Sequence, residues 1–320
     1  MSSWQARCLN ASVRLFVRRR KWGDERAVAG RARRLFGSPT LFQRIRSLGL
    51  RLSAVREEGV CGEWVEPKDL NRGVVLYLHG GGYVSCSAAT HRPITAALAR
   101  LSGCRVFSLD YRLAPEHRFP AALDDAVAAY QWLLGQGLLA SAISLAGDSA
   151  GGGLLLGLLL RARDSGLPLP ACAVCFSAWT DLAGTGASVR SNDGRCAMFH
   201  AENIAEFAAA YLGGASPFDP YASPAHADLS GLPPLLLQVG STELLLDDSR
   251  RVHDKVQETK GISQLKIYDD LAHCWQMLDG IVPEAHDALR QAAAFIRGHV
   301  EVGANDTASF IREGRPPPFE

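Results

Sequence analysis

The sequence lacks a large excess of charge of either sign. Its 320 residues contain 34 Lys and Arg against 33 Asp and Glu, which gives a formal net charge of +1. Proteins that bind nucleic acids usually carry a strongly basic domain, so the total argues against nucleic acid as a partner. With 47% hydrophobic and 21% charged residues, the composition indicates a globular protein rather than a disordered one.

Long hydrophobic segments are also scarce. Arginines interrupt the first 30 residues, which therefore lack the continuous apolar stretch of a secretory signal. The longest uncharged stretch, 126–147, contains Gln, Gly and Ser residues typical of a helix, a turn and a strand. The run GGGLLLGLLL at 151–160 is too short to cross ~30 Å of hydrocarbon. We predict a soluble protein without an integral membrane span.

The eight cysteines do not form a disulfide framework in a chain of this size. Cys172 and Cys175 have the C-x-x-C spacing of redox sites and of half a zinc site, but the sequence has no second such pair. They lie in an apolar run typical of a strand, where residues three apart point to opposite faces. We interpret them as small buried side chains, and expect no metal site, reduced thiols and a cytoplasmic location.

Short apolar runs alternate with longer amphipathic segments from about residue 74. Runs that are apolar throughout indicate strands covered on both faces, and the alternation favours a mostly parallel, doubly wound α/β sheet flanked by helices. Residues 51–67 alternate like an antiparallel lead-in. The apolar runs are VVLYL (74–78), RVFSLD (105–110), AISLAG (142–147), CAVCFSAW (172–179), LLLQVG (235–240) and QLKIYD (264–269).

Three regions depart from this alternation. Residues 1–45 have a helical and basic pattern, and residues 181–230 are too long for a simple connection, which predicts an inserted helical layer. The polar end of the chain carries three consecutive prolines, so we expect 306–320 to be disordered.

Gly147 to Gly151 match the pattern G-x-S-x-G around Ser149. The pattern alone is weak, and an ordinary glycine-rich turn is the alternative. However, it follows an apolar strand and begins a glycine-rich helix, which is the setting that a nucleophile elbow requires. Ser149 is therefore the candidate nucleophile, and the N-terminus of the helix would favour developing negative charge.

A second glycine-rich segment, His79-Gly80-Gly81-Gly82-Tyr83, follows the run VVLYL directly. Three glycines leave backbone N–H groups accessible to a substrate oxygen. A phosphate cradle is the alternative, but the G-x-x-x-x-G-K-[ST] and G-x-G-x-x-G patterns are absent from this segment. We predict an oxyanion hole formed by the N–H groups of Gly81, Gly82 and Ala150, with His79 in a structural role.

A nucleophilic serine needs a base, and the base needs an orienting acid. In this arrangement the order along the chain is serine, acid, histidine, each after a later strand. Glu243 follows the strand LLLQVG immediately, whereas Asp247 lies at the beginning of the next helix and is the alternative acid. His273 follows the last strand and is the candidate base.

Together with Asp110-Tyr-Arg-Leu-Ala-Pro-Glu-His117, these motifs make the chain similar to the hormone-sensitive-lipase-like family of α/β-hydrolases, in particular its bacterial esterases. The resemblance covers about residues 50–300. It implies an α/β-hydrolase fold in which Ser149 is the nucleophile, His273 the general base and Glu243 the acid. Many members carry Asp-Pro-Leu at the acid, where this chain has Glu243-Leu-Leu.

The resemblance implies a serine carboxylesterase that acts on short- to medium-chain acyl esters through an acyl-enzyme, without a metal or organic cofactor. The expected partner is a small-molecule ester, and the sheet edge could pair two subunits as a homodimer. A non-catalytic ligand receptor on the same fold and a lipase or amidase with another acyl substrate are the alternatives.

The net charge of the whole chain is near zero, but its N-terminal part is strongly basic. Residues 1–60 carry 14 Lys and Arg against 4 Asp and Glu. Alone, this pattern suggests a helix that binds a membrane surface or nucleic acid. In similar esterases the N-terminal helices cover the active-site mouth. We therefore expect a cap formed by residues 1–45 and 181–222 on a catalytic domain of 46–305. Its arginines would face solvent, and its apolar side chains would line the acyl pocket, namely Leu15, Phe16, Val17, Trp22, Leu35 and Phe36.

Overall fold

The computed structural model describes residues 2–20, 22–57, 59–68 and 72–301. In this part of the chain, eight strands form one sheet in the order β1-β2-β4-β3-β5-β6-β7-β8. The pairs β1/β2 and β2/β4 are antiparallel, and all later pairs are parallel. The strands are β1 Arg51–Glu57, β2 Val60–Glu66, β3 Val74–Leu78, β4 Arg105–Leu109, β5 Ile143–Asp148, β6 Cys172–Phe176, β7 Leu235–Gly240 and β8 Ser263–Tyr268.

The central strands are buried on both faces, as their apolar runs predict. Every residue of β3, β5, β6 and β7 is buried. Cys172 and Cys175 illustrate the alternation of strand side chains, since they belong to separate apolar clusters and both are free thiols. The edge strand β8 is more exposed: Ser263 is its one buried residue, and its Ile267 is 43% exposed. Dimerisation through that edge stays a prediction.

Helices cover both faces of the sheet, which confirms the α/β prediction. One face packs against α4 and α10, and the other against α5, α6 and α9. The N-terminal helix continues into a π-helical turn at Arg14–Arg18. The helices are α1 Trp4–Val13, α2 Glu25–Phe36, α3 Leu41–Arg46, α4 Arg92–Ser102, α5 Ala121–Gly135, α6 Ala150–Asp164, α7 Ala187–Ser191, α8 Ala201–Leu212, α9 Leu246–Glu258 and α10 Pro283–His299.

The two helical regions outside the alternation pack against each other. Trp22, which is fully buried, lies between Phe36 of α2 and Phe207 of α8, with ring centroids 6.3 and 5.3 Å away. An aromatic cluster of this kind buries a large apolar area and fixes the two regions relative to each other. The expected disordered segment, 306–320, lies outside the described residues. Within the described ranges, no helix has the length and apolarity needed to cross a membrane.

Candidate active site

Ser149 lies at a sharp turn between β5 and α6. Its backbone has φ 51° and ψ −121°, a conformation that costs a non-glycine residue free energy and is found at nucleophile elbows. Gly151 and Gly153 make the turn possible, because an added Cβ would lie 2.0 Å from Leu78 O and from Trp179 O, respectively. The small residues of the motif are thus required by close backbone approach.

The three residues predicted to form the triad are in contact. Nε2 of His273 lies 2.8 Å from Ser149 Oγ, and its Nδ1 lies 2.6 Å from Glu243 Oε2. With the imidazole proton on Nδ1, the ring donates to the carboxylate and accepts from the hydroxyl. The loops after β5, β7 and β8 bring the three together, since parallel strands end at the same edge of the sheet.

Ser177 is a site residue that the sequence analysis did not identify. Its hydroxyl donates to Glu243 Oε1 at 2.8 Å and accepts a hydrogen bond from the N–H of Cys274 at 3.3 Å. The N–H of Gly240 also donates to Oε1, at 2.6 Å. Ser177 therefore links the loop of the carboxylate to the loop of the imidazole. The sequence feature that could have identified Ser177 is its position directly after β6, at the same edge of the sheet.

Asp247, the alternative acid of the triad, makes its hydrogen bonds away from His273. Its carboxylate accepts a hydrogen bond from the N–H of Ser188 at 2.8 Å and pairs with Arg250 at 3.2 Å. It thereby anchors α7, in the inserted region, to the N-terminus of α9. Of the two candidate carboxylates, Glu243 is the one in contact with His273.

The glycine-rich loop after β3 lies beside the turn that holds Ser149. In the described part of the chain, the N–H groups of Gly81, Gly82 and Ala150 donate to no protein acceptor, which leaves them available to a ligand oxygen. Gly81 and Gly82 have φ of +117° and +63°. A Cβ on Gly82 would lie 2.4 Å from Phe207 Cδ1, so the loop is covered directly by α8.

Asp148 joins the glycine-rich loop to the Ser149 turn. Its Oδ1 accepts hydrogen bonds from the N–H of Gly80 at 2.9 Å and from the hydroxyl of Tyr77 at 2.6 Å. Burial by itself would raise the pKa of this carboxyl, but the charge of His91 and these hydrogen bonds outweigh burial and lower the pKa to about 2. Asp148 is therefore a buried carboxylate at neutral pH. Sequence analysis had not assigned it a role.

His79 is buried at the start of the glycine-rich loop, and its Nδ1 lies 2.7 Å from Gly80 O. Its ring stacks on Tyr111 with centroids 4.2 Å apart, and Tyr111 donates to the carbonyl of His79 at 2.7 Å. Burial, together with the charge of nearby His91, lowers the pKa of His79 to about 3, so the ring is neutral. These contacts agree with the structural role predicted for His79 and with a supporting role for the Tyr111 segment.

Arg33 of α2 anchors the N-terminal region to the glycine-rich loop and to the Tyr111 segment that supports it. Its guanidinium donates to the carbonyls of Val84 and Ala114 at 2.8 and 2.9 Å, and forms a bidentate pair with Glu116. This differs from the prediction that the N-terminal arginines face solvent. A guanidinium is suited to such a junction because its planar fork can serve several acceptors at once.

A cavity of about 370 Å³ opens beside Ser149 and His273. Its walls are mostly apolar and come from both helical regions. The N-terminal residues at the wall are Leu9, Val13, Val17, Leu35 and Phe36, and those of the inserted region are Met198, Phe199, Ile204 and Phe207.

Of the six apolar side chains predicted to line the pocket, Val17, Leu35 and Phe36 do so, whereas the prediction is wrong for Leu15, Phe16 and Trp22. Leu15 and Phe16 are 48% and 63% exposed, and Trp22 is buried between the two helical regions. The charge pattern could not resolve this, because it does not fix which face of a helix points inward. Across the described ranges, no cluster of three His, Cys, Asp or Glu side chains could hold a metal ion.

The sheet topology, with a strand, a strained serine and a helix at its carboxyl edge, defines an α/β-hydrolase. A family model for the alpha/beta hydrolase fold matches residues 75–277. The chain is 43% identical to an acetyl-hydrolase of Streptomyces hygroscopicus over 252 residues, which cover 78% of this chain and 84% of that protein. It is 36% identical to an esterase of Acinetobacter venetianus over 247 residues, or 77% and 82% of the two chains.

Solved structures of esterases share this fold. The crystal structure of EstE5 soaked with p-nitrophenyl butyrate superimposes with a TM-score of 0.85 at 38% identity, over 93% of this chain and 99% of the other. An esterase from the bacterial hormone-sensitive lipase family has a TM-score of 0.82 at 39% identity, over 94% and 99%. The chain belongs to the hormone-sensitive-lipase-like family of α/β-hydrolases and is a carboxylic ester hydrolase.

Proposed function

We propose that this carboxylesterase works through a Ser149–His273–Glu243 triad and an acyl-enzyme intermediate. The observation that carries the proposal is the continuous hydrogen-bonded path from Ser149 Oγ through the imidazole to Glu243, at 2.8 and 2.6 Å. Heavy-atom separations in this range allow direct proton transfer between the hydroxyl and the ring. The burial of Glu243 and its hydrogen bonds from Ser177 and Gly240 hold the carboxylate toward the ring.

In the first half of the reaction, Ser149 Oγ attacks the ester carbonyl carbon and its proton passes to His273 Nε2. The tetrahedral intermediate collapses as the bond to the leaving oxygen breaks, and His273 gives its proton to the departing alcohol. In the second half, water attacks the acyl-enzyme and gives a proton to His273. The acid is then released, and the proton returns to Ser149.

The N–H groups of Gly81, Gly82 and Ala150 form the oxyanion hole of this proposal. All three lie at the wall of the cavity or directly beside Ser149, and none is occupied by a protein acceptor in the described part of the chain. Groups fixed in advance stabilise the negative oxygen of the intermediate without reorganising during the reaction. Removing one such donor typically lowers kcat by about 10²–10³.

Short- to medium-chain acyl esters are the proposed substrates. A cavity of about 370 Å³ lies near the lower end of ligand pockets, which span roughly 300–1,000 Å³. Apolar side chains of residues 1–45 and 181–222 form much of its wall, which supports their role as a cap over the catalytic domain. The cap would then set the accepted chain length.

Ser149→Ala tests the proposal. We expect loss of hydrolysis of p-nitrophenyl butyrate, with an unchanged circular dichroism spectrum and Tm. Wild type should become labelled by a fluorophosphonate at Ser149 and should prefer butyrate over p-nitrophenyl dodecanoate. Full activity of Ser149→Ala would refute the nucleophile assignment. Ligand binding by a wild-type protein that resists the label and hydrolyses no ester would favour the receptor alternative.

A further inference from the structure

The helix α1 and its π-helical continuation have two different apolar faces. Leu9, Val13 and Val17 point into the cavity. Trp4 and Leu15 lie on the opposite side and are 66% and 48% exposed, since residues spaced 3, 4, 7 or 11 apart share one side of a helix. The side of the helix that carries Trp4 and Leu15 therefore does not contribute to the pocket.

Arginines accompany these exposed apolar side chains. Residues 1–23 contain six Arg and Lys and no Asp or Glu. Arg7 and Arg19 are exposed and form no ion pair in the described part of the chain. Arg14 and Arg20, also exposed, donate to the backbone carbonyls of Arg195 and Phe16. Among the residues that the structure describes, no carboxylate pairs with any of these four arginines.

Helix α3 adds exposed apolar groups near the same cavity. Thr40 and Gln43 line the cavity, while Leu41 and Ile45 are 73% and 51% exposed. Single exposed apolar residues are ordinary on protein surfaces, but a group of them around the mouth of an apolar cavity marks an interaction surface.

We propose that this face, defined by Trp4, Arg7, Leu15 and Arg19 together with Phe16, which is 63% exposed in the π-helical turn, binds anionic lipid surfaces. Arginines interleaved with Trp, Leu and Phe on one side of a helix are typical of segments that lie in the lipid headgroup region. The arginines attract anionic headgroups, while the apolar side chains enter the acyl boundary. Because the other side of the same helix lines the cavity, the enzyme would bind with its substrate pocket next to the lipid.

Cosedimentation with vesicles tests this binding surface. Wild type should partition onto phosphatidylglycerol/phosphatidylcholine vesicles far more than onto pure phosphatidylcholine, and less so at 0.5 M salt. Each exposed charge near an anionic surface contributes about 1 kcal/mol, so Arg7→Gln/Arg19→Gln should lower the partition coefficient roughly 30-fold. Trp4→Ser/Phe16→Ser should lower it by about tenfold or more.

The matched control is Lys260→Gln/Lys266→Gln, which removes the same charge from exposed positions before and within the edge strand β8. It should bind the anionic vesicles like wild type. An equal loss in both double charge variants, absence of binding to anionic vesicles, or full binding by Trp4→Ser/Phe16→Ser would overturn the proposal.

The kinetic consequence, unlike the binding, rests on the proposed esterase mechanism. Arg7→Gln/Arg19→Gln should hydrolyse dissolved p-nitrophenyl butyrate at the wild-type rate, but a long-chain ester embedded in anionic vesicles more slowly. If Ser149→Ala kept its activity, the mechanism would fail while vesicle binding could still be measured. Equal rates of both enzymes on the embedded ester would refute the delivery of substrate from the lipid.

Discussion

His91 Nε2 lies 3.3 Å from Asp148 Oδ2, and both side chains are at least 95% buried. Asp148 immediately precedes Ser149 and also accepts the N–H of Gly80, at the base of the glycine-rich loop. The pair therefore stands where the nucleophile turn and the proposed oxyanion loop are joined. Removing His91 would leave the buried Asp148 carboxylate with fewer partners, and a buried charge without partners is costly.

His91→Gln should weaken this junction. The pKa of Asp148, lowered to about 2 in the folded protein, lies below its ordinary value of 3.8, so the carboxylate stabilises the fold above pH 3.8 and loses this effect as the pH falls through 2. Without His91, the pKa of Asp148 should rise. We expect the midpoint of acid unfolding, followed by circular dichroism, to move to higher pH.

His253→Gln is the control for that experiment, since His253 is bonded to the Ser263 hydroxyl at 2.9 Å and faces no carboxylate in the structure's described ranges. At neutral pH, His91→Gln should also lower the free energy of unfolding by about 1–3 kcal/mol. An acid midpoint equal to that of wild type would show that His91 does not hold the Asp148 charge.

Glu243→Gln should reduce kcat on p-nitrophenyl butyrate by about 10⁴, the loss known for an acid-to-amide change in a triad. The amide cannot stabilise the imidazolium and favours the wrong tautomer of His273. Glu243→Asp should retain more activity than Glu243→Gln, because its charge remains. Stopped-flow or steady-state rates at pH 8 would measure the difference.

Asp247→Asn is the matched comparison, because Asp247 bonds to Ser188 rather than to His273. It should leave kcat near that of wild type while lowering Tm, since the anchor of α7 is weakened. A loss of kcat as large as that of Glu243→Gln would mean that the wrong carboxylate has been assigned.

Gly82→Ala should slow acylation without unfolding the protein. The added Cβ would meet Phe207 Cδ1 at 2.4 Å, in a backbone conformation with φ +63°. The loop must then shift, and the Gly82 N–H would leave its position. A displaced oxyanion donor costs about 10²–10³ in kcat, which burst kinetics with a nitrophenyl ester would detect.

Gly214→Ala controls for the backbone conformation alone, because Gly214 has φ +101° but no atom within 4 Å of an added Cβ. It should affect stability rather than kcat. If Phe207→Ala partly restores the activity of Gly82→Ala, the steric cause is supported. Unaltered acylation by Gly82→Ala would exclude this N–H from the reaction.

Asp248→Asn should stabilise the protein at alkaline pH. Burial raises the pKa of the Asp248 carboxyl from 3.8 to about 8, even though the N–H groups of Thr180 and Asp181 donate to it. A raised pKa means that its stabilisation is complete below pH 3.8 and is lost as the pH rises through 8. The Tm advantage of Asp248→Asn should therefore grow between pH 4 and pH 9.

Differential scanning fluorimetry across that range would measure the advantage, with the exposed Asp254→Asn as control. Asp254→Asn should follow wild type at every pH. A constant difference between Asp248→Asn and wild type from pH 4 to 9 would contradict a carboxyl that is protonated at neutral pH.

The sequence by itself determined the sheet and the order of the site. Apolar runs such as VVLYL and LLLQVG became buried strands because a strand covered on both faces must be apolar throughout. The glycines around Ser149 indicated the turn, since only small residues allow the backbone segments to approach so closely there. Chain order then pointed to Glu243 and His273, because the ends of parallel strands converge at one edge.

Only the tertiary structure decided contacts between segments distant in the chain. Glu243 and Asp247 lie four residues apart, and sequence alone left both open until the fold directed one to His273 and the other to Ser188. The link between His91 and Asp148, 57 positions apart, carries no local signal. The inward and outward faces of α1 were likewise set by packing, because a helix with apolar residues on both sides has no intrinsic preference for burying either one.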